Sequence, residues 1–175
     1  FAIIESYEAY GDWRTVAELT RDLIQNAAMD IFGGHVVKHH DGRESDLGGS
    51  WREISLFDAV SEGVGESVTA LTPIEDLKKY AVKLGIKVDP SWIKGKLAEE
   101  IFEHVAVDKL NEPTFVMGFP TDNAPLVRAH RSLPGVVEQW DLQVPGLQLD
   151  TGYSDLIPPD LQREPTVMNC RPAAK

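Results

Sequence analysis

The feature that most constrains the fold is an alternating stretch near the C-terminal end of the chain. Residues 139–156 read QWDLQVPGLQLDTGYSDL, with polar and apolar residues alternating on both sides of a Pro-Gly pair. This pattern predicts two short strands joined by a turn at residues 145–146. In such a hairpin Asp141 faces Asp150, and side chains of one parity share one face. The expected polar face consists of Asp141, Gln143, Gln148 and Asp150.

This polar face has two interpretations. Carboxylate and amide oxygens are ligands that suit a hard cation such as magnesium. From the pattern alone a solvated face is favoured, because exposed faces of antiparallel sheets are normally polar. Asp155 lies seven residues after Gln148 and so has the opposite parity. It could line the same pocket only if the strand ends or bulges near Gly152.

The rest of the chain predicts helices between strands. Residues 12–34 form a helix that Gly33 can end. Further helices are expected over residues 56–64, 72–85 and 95–110, the second begun by a Thr72 cap and a capping box with Glu75. A hairpin around Asp41-Gly42 and a buried strand within residues 113–120 complete the pattern. The last helix is expected to place Leu97, Ile101 and Val105 on one face. The first helix is expected to bury one stripe, made of Val16, Leu19, Leu23, Ile24, Ala27 and Ile31.

These elements together predict an α+β fold, with an antiparallel sheet flanked by helices. The chain has 175 residues, enough for one domain with a core, and 42% of them are apolar. No apolar run is long enough to cross a bilayer, so no direct membrane contact is expected from this segment. The single cysteine, Cys170, excludes an internal disulfide and a cysteine-built zinc site, and a cytoplasmic location is expected.

Two further features concern possible ligands. The net charge of −11 argues against a broad contact with a phosphate backbone. Near the N-terminus, a strand would place Phe1, Ile3, Glu5 and Tyr7 on one face. Glu5 is then a lone acid on an apolar face, and a buried carboxylate needs a cation. That cation could be a ligand ammonium or an internal arginine or lysine, and the internal partner is the simpler expectation.

Two segments of the chain are familiar. Residues 112–164, EPTFVMGFPTDNAPLVRAHRSLPGVVEQWDLQVPGLQLDTGYSDLIPPDLQRE, resemble the catalytic core of class II lysyl-tRNA synthetases. The likeness is to the actinobacterial form, including the version fused to a lysylphosphatidylglycerol synthase. Residues 1–28 resemble the segment after the second class-defining motif of that family. The resemblance divides the chain into a partial class II catalytic domain, 1–164, and an irregular tail, 165–175.

The resemblance implies an enzyme that joins lysine to ATP and then passes lysine to tRNA, and that works as a homodimer. It implies that lysine is bound by an acid and a tyrosine near the N-terminus and by a second acid in the hairpin segment. In this sequence the lysine-binding positions are Glu5, Tyr7, Tyr153 and Asp155.

The resemblance also implies a metal site on the hairpin. Family acids that hold Mg²⁺ against the ATP phosphates match Asp141 and Gln148, so the metal interpretation of the polar face now outweighs the solvated one. Gln148 stands where the family has glutamate, which removes one negative charge. Asp155 is one methylene shorter than the family's glutamate, and Ala124 replaces a usual serine.

Several family features have no counterpart in these 175 residues. They are the arginine of motif 2, the glycine-rich motif 3 with its arginine, the dimer-forming motif 1 and the anticodon-binding domain. The chain by itself is therefore expected to be inactive. Three alternatives stay open at this point: a non-catalytic lysine-binding or regulatory protein, a paralogous ligase that lysylates a protein, and the fused lipid-modifying form.

Overall fold

The structure is a computed structural model that describes residues 2–39, 42–145 and 147–159. Within those ranges the chain forms four α-helices and six strands, with short 3₁₀ turns at Val107–Lys109 and Thr121–Asn123. The elements in chain order are α1 (Trp13–Phe32), β1 (Val36–Lys38), β2 (Glu44–Asp46), β3 (Arg52–Ser55), α2 (Leu56–Val64), α3 (Ile74–Lys83), α4 (Lys94–Val105), β4 (Thr114–Met117), β5 (Gln139–Val144) and β6 (Leu147–Tyr153).

The strands form two sheets. β1 and β2 make a separate antiparallel hairpin, and the main sheet has the order β3-β4-β5-β6. The α+β class is confirmed, as are the helices of the middle region. The main sheet is mixed, however, because β3 and β4 run parallel while the other pairs are antiparallel. A parallel pair needs a long crossover, and α2, α3 and α4 supply it between these two strands.

The core lies on both faces of the main sheet. Successive residues of β4 point in opposite directions, so Phe115 packs with Trp13 and Trp140 on the α1 face. Val116 packs on the other face with residues of α2, α3 and α4. On α4, Leu97, Ile101 and Val105 are buried, in agreement with the helical spacing in the sequence. The sheet is therefore the middle layer between α1 and the three-helix group.

α1 buries a different stripe from the one predicted. Asp12 caps the helix in a capping box with Thr15, and Gly33 ends it at a φ of 70°. The small side chain of Ala17 packs against the sheet in the same cluster as Trp140 and Leu142, and Ala28 further along the helix is also buried. Val16 and Ile24 still pack partly against the core. Four other members of the predicted stripe are exposed, namely Leu19, Leu23, Ala27 and Ile31.

Two local predictions were wrong. Thr72 does not cap α3, because its hydroxyl accepts a hydrogen bond from the Thr69 N–H at 2.9 Å and Pro73 occupies the cap position. Residues 2–8 are not a strand, since nothing in the described ranges pairs with them. A strand is stable only when a neighbour satisfies its backbone groups. Other parts of the predictions lie outside the described residues, namely Phe1, Asp41, Gly146, the tail 165–175 and Cys170.

Candidate active site

The register of the β5–β6 hairpin differs from simple alternation. Val144 pairs with Leu147 and Gln143 with Gln148, as the sequence predicted. The next pair is Leu142 with Asp150, so Leu149 has no partner on β5 and is the extra residue of a β-bulge. The predicted pairing of Asp141 with Asp150 was therefore wrong.

The bulge moves Asp150 off the polar face and brings Thr151 and Tyr153 onto it. Asp150 turns to the α1 face, where its Oδ2 accepts a hydrogen bond of 3.3 Å from the Thr20 hydroxyl. Beyond the bulge, Thr151 lies opposite Asp141, and Tyr153 lies opposite Gln139. The bulge that was expected near Gly152 therefore lies three residues earlier, at Leu149.

Gly152 is not the bulge residue but allows close packing of the hairpin. It pairs with Trp140, and a Cβ at this position would overlap the indole ring of that fully buried tryptophan. The glycine therefore lets β6 pass close over the aromatic cluster of the α1 face.

Asp141 is the central carboxylate of the polar face. It is 8% exposed, and its two oxygens accept hydrogen bonds from the side-chain amides of Gln139 at 3.2 Å and Gln148 at 3.0 Å. Burial raises the pKa of the Asp141 carboxyl above its ordinary value of 3.8, and side-chain hydrogen bonding by Thr151 and Gln139 opposes that shift. The structure thus brings Asp141 and Gln148 into direct contact on one face.

This face forms one wall of a cavity of about 230 Å³. The opposite wall comes from α4, which contributes Glu99, Phe102 and Glu103. These residues follow an i, i+3, i+4 spacing that places them on one side of the helix. That spacing was visible in the sequence, but nothing in the sequence placed this side of α4 above the hairpin. The remaining lining residues are Phe119, Asn123, Ala124, Gln139, Asp141, Gln143 and Gln148.

Glu99 is electrostatically coupled to Asp141 across the cavity. Burial raises the pKa of the Glu99 carboxyl. A hydrogen bond of 2.7 Å from the Asn123 amide and the charge of Lys96 lower this pKa, whereas the negative charge of Asp141 raises it. Two partly desolvated acids that face one cavity favour a cationic occupant over an anionic one.

The donor atoms around Asp141 are of a kind that fits magnesium. Mg²⁺ is usually held by one or two carboxylates together with waters and substrate phosphates, without a complete protein cage. Asp141 offers a carboxylate, and Gln148 can offer its amide oxygen if the amide turns over. Within the described ranges, no group of three or more His, Cys, Asp or Glu side chains is arranged to hold a metal.

The four residues that the resemblance implies to bind lysine are not joined by side-chain hydrogen bonds in the part of the chain that the structure describes, unlike Asp141 and Gln148. Asp155 is exposed and forms an isolated antiparallel bridge with Val127, just beyond β6. Tyr153 is 39% exposed on the face of Gln139. Glu5 and Tyr7 lie on the exposed segment before α1, and Tyr7 is 83% exposed. In the described ranges no hydrogen bond or ion pair joins Glu5 or Tyr7 to Asp155, and their shared role stays a prediction.

A sheet between helices, with an acidic and amide-lined cavity on one face, is consistent with the family that the sequence resembles. The model of the family of class II tRNA synthetases (D, K and N) matches residues 1–168. The chain therefore belongs to this family.

Two curated relatives with high sequence identity are both named lysine–tRNA ligase. The chain is 51% identical to the lysine–tRNA ligase of Kineococcus radiotolerans over 172 residues, which cover 98% of this chain and 34% of that ligase. It is 44% identical to the lysine–tRNA ligase of Mycolicibacterium gilvum, over 99% of this chain and 35% of that ligase. The chain thus spans about a third of the length of these curated relatives.

A third relative has a broader name. The lysylphosphatidylglycerol biosynthesis bifunctional protein LysX of Mycobacterium sp. (strain JLS) is 41% identical over 93% of this chain and 15% of that protein. None of the helices in the described ranges has the length and apolar character needed to cross a membrane.

Proposed function

We propose that the protein containing this chain is an ATP-dependent lysine–tRNA ligase, and that residues 1–164 form part of its catalytic domain, followed by a tail at 165–175. The observation that carries the proposal is the identity of 39–51% to lysine–tRNA ligases over 98–99% of the chain. The acidic cavity beside Asp141 supports it. The proposal includes lysine, ATP and tRNA as substrates, a homodimer and a cytoplasmic location.

The residues of this chain have two roles in the proposal. Glu5 and Asp155 select lysine by charge, since a carboxylate favours an ammonium over a neutral or acidic side chain, and Tyr7 and Tyr153 contact the rest of the amino acid. Asp141 and Gln148 would hold magnesium. When bound, the ion would neutralise charge on the ATP phosphates. Such a reaction depends on positioning and electrostatics and needs no side-chain nucleophile.

The test is amino-acid-dependent ATP–pyrophosphate exchange by the whole protein. The family includes enzymes for aspartate and asparagine as well as lysine, so all three amino acids should be compared. We expect exchange with lysine alone, and Glu5→Gln should weaken it mainly through a higher KM for lysine. Glu18→Gln is the matched control, because Glu18 is an exposed acid on α1. Exchange driven by aspartate or asparagine would contradict the proposal.

A second candidate rests on the LysX relative. The whole protein could combine the ligase with a lipid-modifying part, because the name of that relative describes LysX as a bifunctional protein of lysylphosphatidylglycerol biosynthesis. Lysine activation is expected in both cases. Transfer of lysine to phosphatidylglycerol in the presence of tRNA, measured with radiolabelled lysine, distinguishes the two.

A further inference from the structure

The start of α1 and the end of β6 are tied together by buried hydrogen bonds. The Trp13 N–H donates to the Ser154 hydroxyl at 3.1 Å, and Ser154 is 6% exposed. In return, the Trp140 indole N–H donates to the Trp13 carbonyl at 2.7 Å. The first N–H groups of a helix have no partner within the helix, so Ser154 satisfies a group that would otherwise be unpaired.

A second connection runs beside the first. The Arg131 guanidinium binds both oxygens of the buried Glu138 carboxylate, at 2.8 and 3.2 Å. The same side chain lies 3.5 Å from Asp12 Oδ2. The other oxygen of Asp12 accepts hydrogen bonds from the first turn of α1. We call the group Asp12, Trp13, Arg131, Glu138 and Ser154 the junction.

The junction lies between the two segments that carry the proposed lysine-binding residues. Ser154 stands between Tyr153 and Asp155 in the sequence. On the other side, Thr15 in the first turn of α1 donates a hydrogen bond of 3.0 Å to Glu8, which anchors the segment that contains Glu5 and Tyr7. The chain turns between them at Tyr10, whose φ is 65°. Movement of α1 against β6 would therefore change the separation of these two segments.

We propose that Ser154 is a positioning residue for lysine, because its bond to Trp13 fixes the two lysine-binding segments relative to each other. This inference rests on the proposed function. Ser154 touches no substrate in it, and it acts by holding Glu5 and Asp155 in one arrangement before lysine arrives. Preorganisation of this kind lowers the ordering cost of binding.

The test compares Ser154→Ala with wild type in the whole protein, by lysine-dependent ATP–pyrophosphate exchange. We expect the KM for lysine to rise about threefold to tenfold, the range that one buried hydrogen bond supports. The kcat and the KM for ATP should change less than twofold. Ser154→Thr keeps the hydroxyl and should restore most of the lysine affinity.

Ser61→Ala is the matched control for a loss of stability alone. Ser61 on α2 accepts a hydrogen bond of 2.9 Å from the Val68 N–H and is remote in sequence from both lysine-binding segments. This variant should lower the midpoint of thermal unfolding while the KM for lysine stays unchanged. If both serine variants raise the KM for lysine equally, the positioning role of Ser154 is wrong.

A double-mutant cycle with Glu5→Gln measures the coupling directly. If Ser154 acts through Glu5, the double variant should lose less lysine affinity than the two single losses combined. Full additivity would overturn the inference and leave the proposed function intact, whereas a wild-type protein without lysine dependence would overturn both. Should Ser154→Ala fail to fold, Ser154→Cys tests the same bond, because sulfur nearly keeps the size of the side chain but is only a weak acceptor for the Trp13 N–H. An unchanged KM for lysine in that variant would then overturn the inference.

Discussion

Gln148 Nε2 donates a hydrogen bond of 3.0 Å to Asp141 Oδ2 across the β5–β6 hairpin. The contact joins a buried carboxylate to an amide, at a position that the sequence resemblance matches to a family glutamate. An amide stabilises the lone carboxylate without adding charge, while a second carboxylate would repel it until a cation arrived. Gln148 therefore favours the metal-free cavity and weakens the proposed magnesium site.

Gln148→Glu should strengthen magnesium binding in the whole protein. One added charge near 4 Å contributes about 1 kcal/mol in water and about 4 kcal/mol at the effective dielectric of a protein surface. Even the smaller figure shifts affinity about fivefold. The magnesium concentration for half-maximal ATP–pyrophosphate exchange should fall accordingly. Asn26→Asp is the control, because it adds the same charge at an exposed position on α1, outside the cavity, and should leave the magnesium requirement unchanged. An unchanged magnesium requirement in Gln148→Glu would show that this residue does not contact the metal.

Asp141→Asn should stabilise the metal-free protein at neutral pH. The folded pKa of Asp141 is raised, so the folded state pays a penalty once the carboxylate ionises. The penalty is absent at pH values below the pKa of Asp141 in the unfolded chain. It is fully present at pH values above the pKa of Asp141 in the folded protein. The gain in the unfolding midpoint, about 2–4 °C for each kcal/mol, should therefore shrink as the pH falls toward 3.8.

Two controls test the explanation for Asp141→Asn: the same substitution at an exposed aspartate, and added Mg²⁺. The exposed Asp89 has a lowered pKa because Ser91 donates hydrogen bonds to it, so Asp89→Asn should give a change of opposite sign. Added Mg²⁺ should raise the midpoint of wild type and leave that of Asp141→Asn unchanged. Thermal melts between pH 4 and pH 8, with and without magnesium, provide all of these comparisons. A lower midpoint for Asp141→Asn at pH 7 would contradict the penalty.

The elements of the fold were largely predictable, and their exact pairing was not. Helical spacing placed Leu97, Ile101 and Val105 of α4 on one buried face, as the structure confirms. On α1 the same kind of pattern failed, because apolar residues occupy two neighbouring faces of the helix. Small residues such as Ala17 then decide which face approaches the sheet, and that depends on the partner surface.

The candidate site shows the same limit. Alternation predicted the contact face of Asp141 and Gln148, but a single bulge at Leu149 removed Asp150 from that face. After a bulge, every later residue of the strand points to the opposite face of the sheet, and no residue type predicts a bulge reliably. Glu99 was missed for a related reason, since the crossover path that carries α4 over the hairpin is a tertiary property.

The 175-residue chain by itself should give no lysine-dependent ATP–pyrophosphate exchange above background. The resemblance implies that the chain lacks the arginines of motifs 2 and 3, which in the family contact the ATP phosphates. One such electrostatic contact is typically worth about 10²–10³ in rate. The purified chain should be compared with the whole protein at equal concentration. Circular dichroism would confirm that the chain is folded under the assay conditions. A rate close to that of the whole protein would show that these 175 residues suffice.

Gly152→Ala should destabilise the protein through the aromatic cluster beneath the hairpin. A Cβ at Gly152 would overlap the ring of Trp140, which is fully buried and hydrogen-bonded to the Trp13 carbonyl. Overpacking of a filled core costs about 1–3 kcal/mol, and the displaced indole would also strain its hydrogen bond. Urea unfolding followed by tryptophan fluorescence measures the loss. Gly34→Ala is the control, because a Cβ there meets nothing within 4 Å, and it should change the free energy of unfolding by less than about 0.5 kcal/mol. Equal effects of the two substitutions would mean that the close approach of Gly152 to Trp140 does not limit the packing of the hairpin.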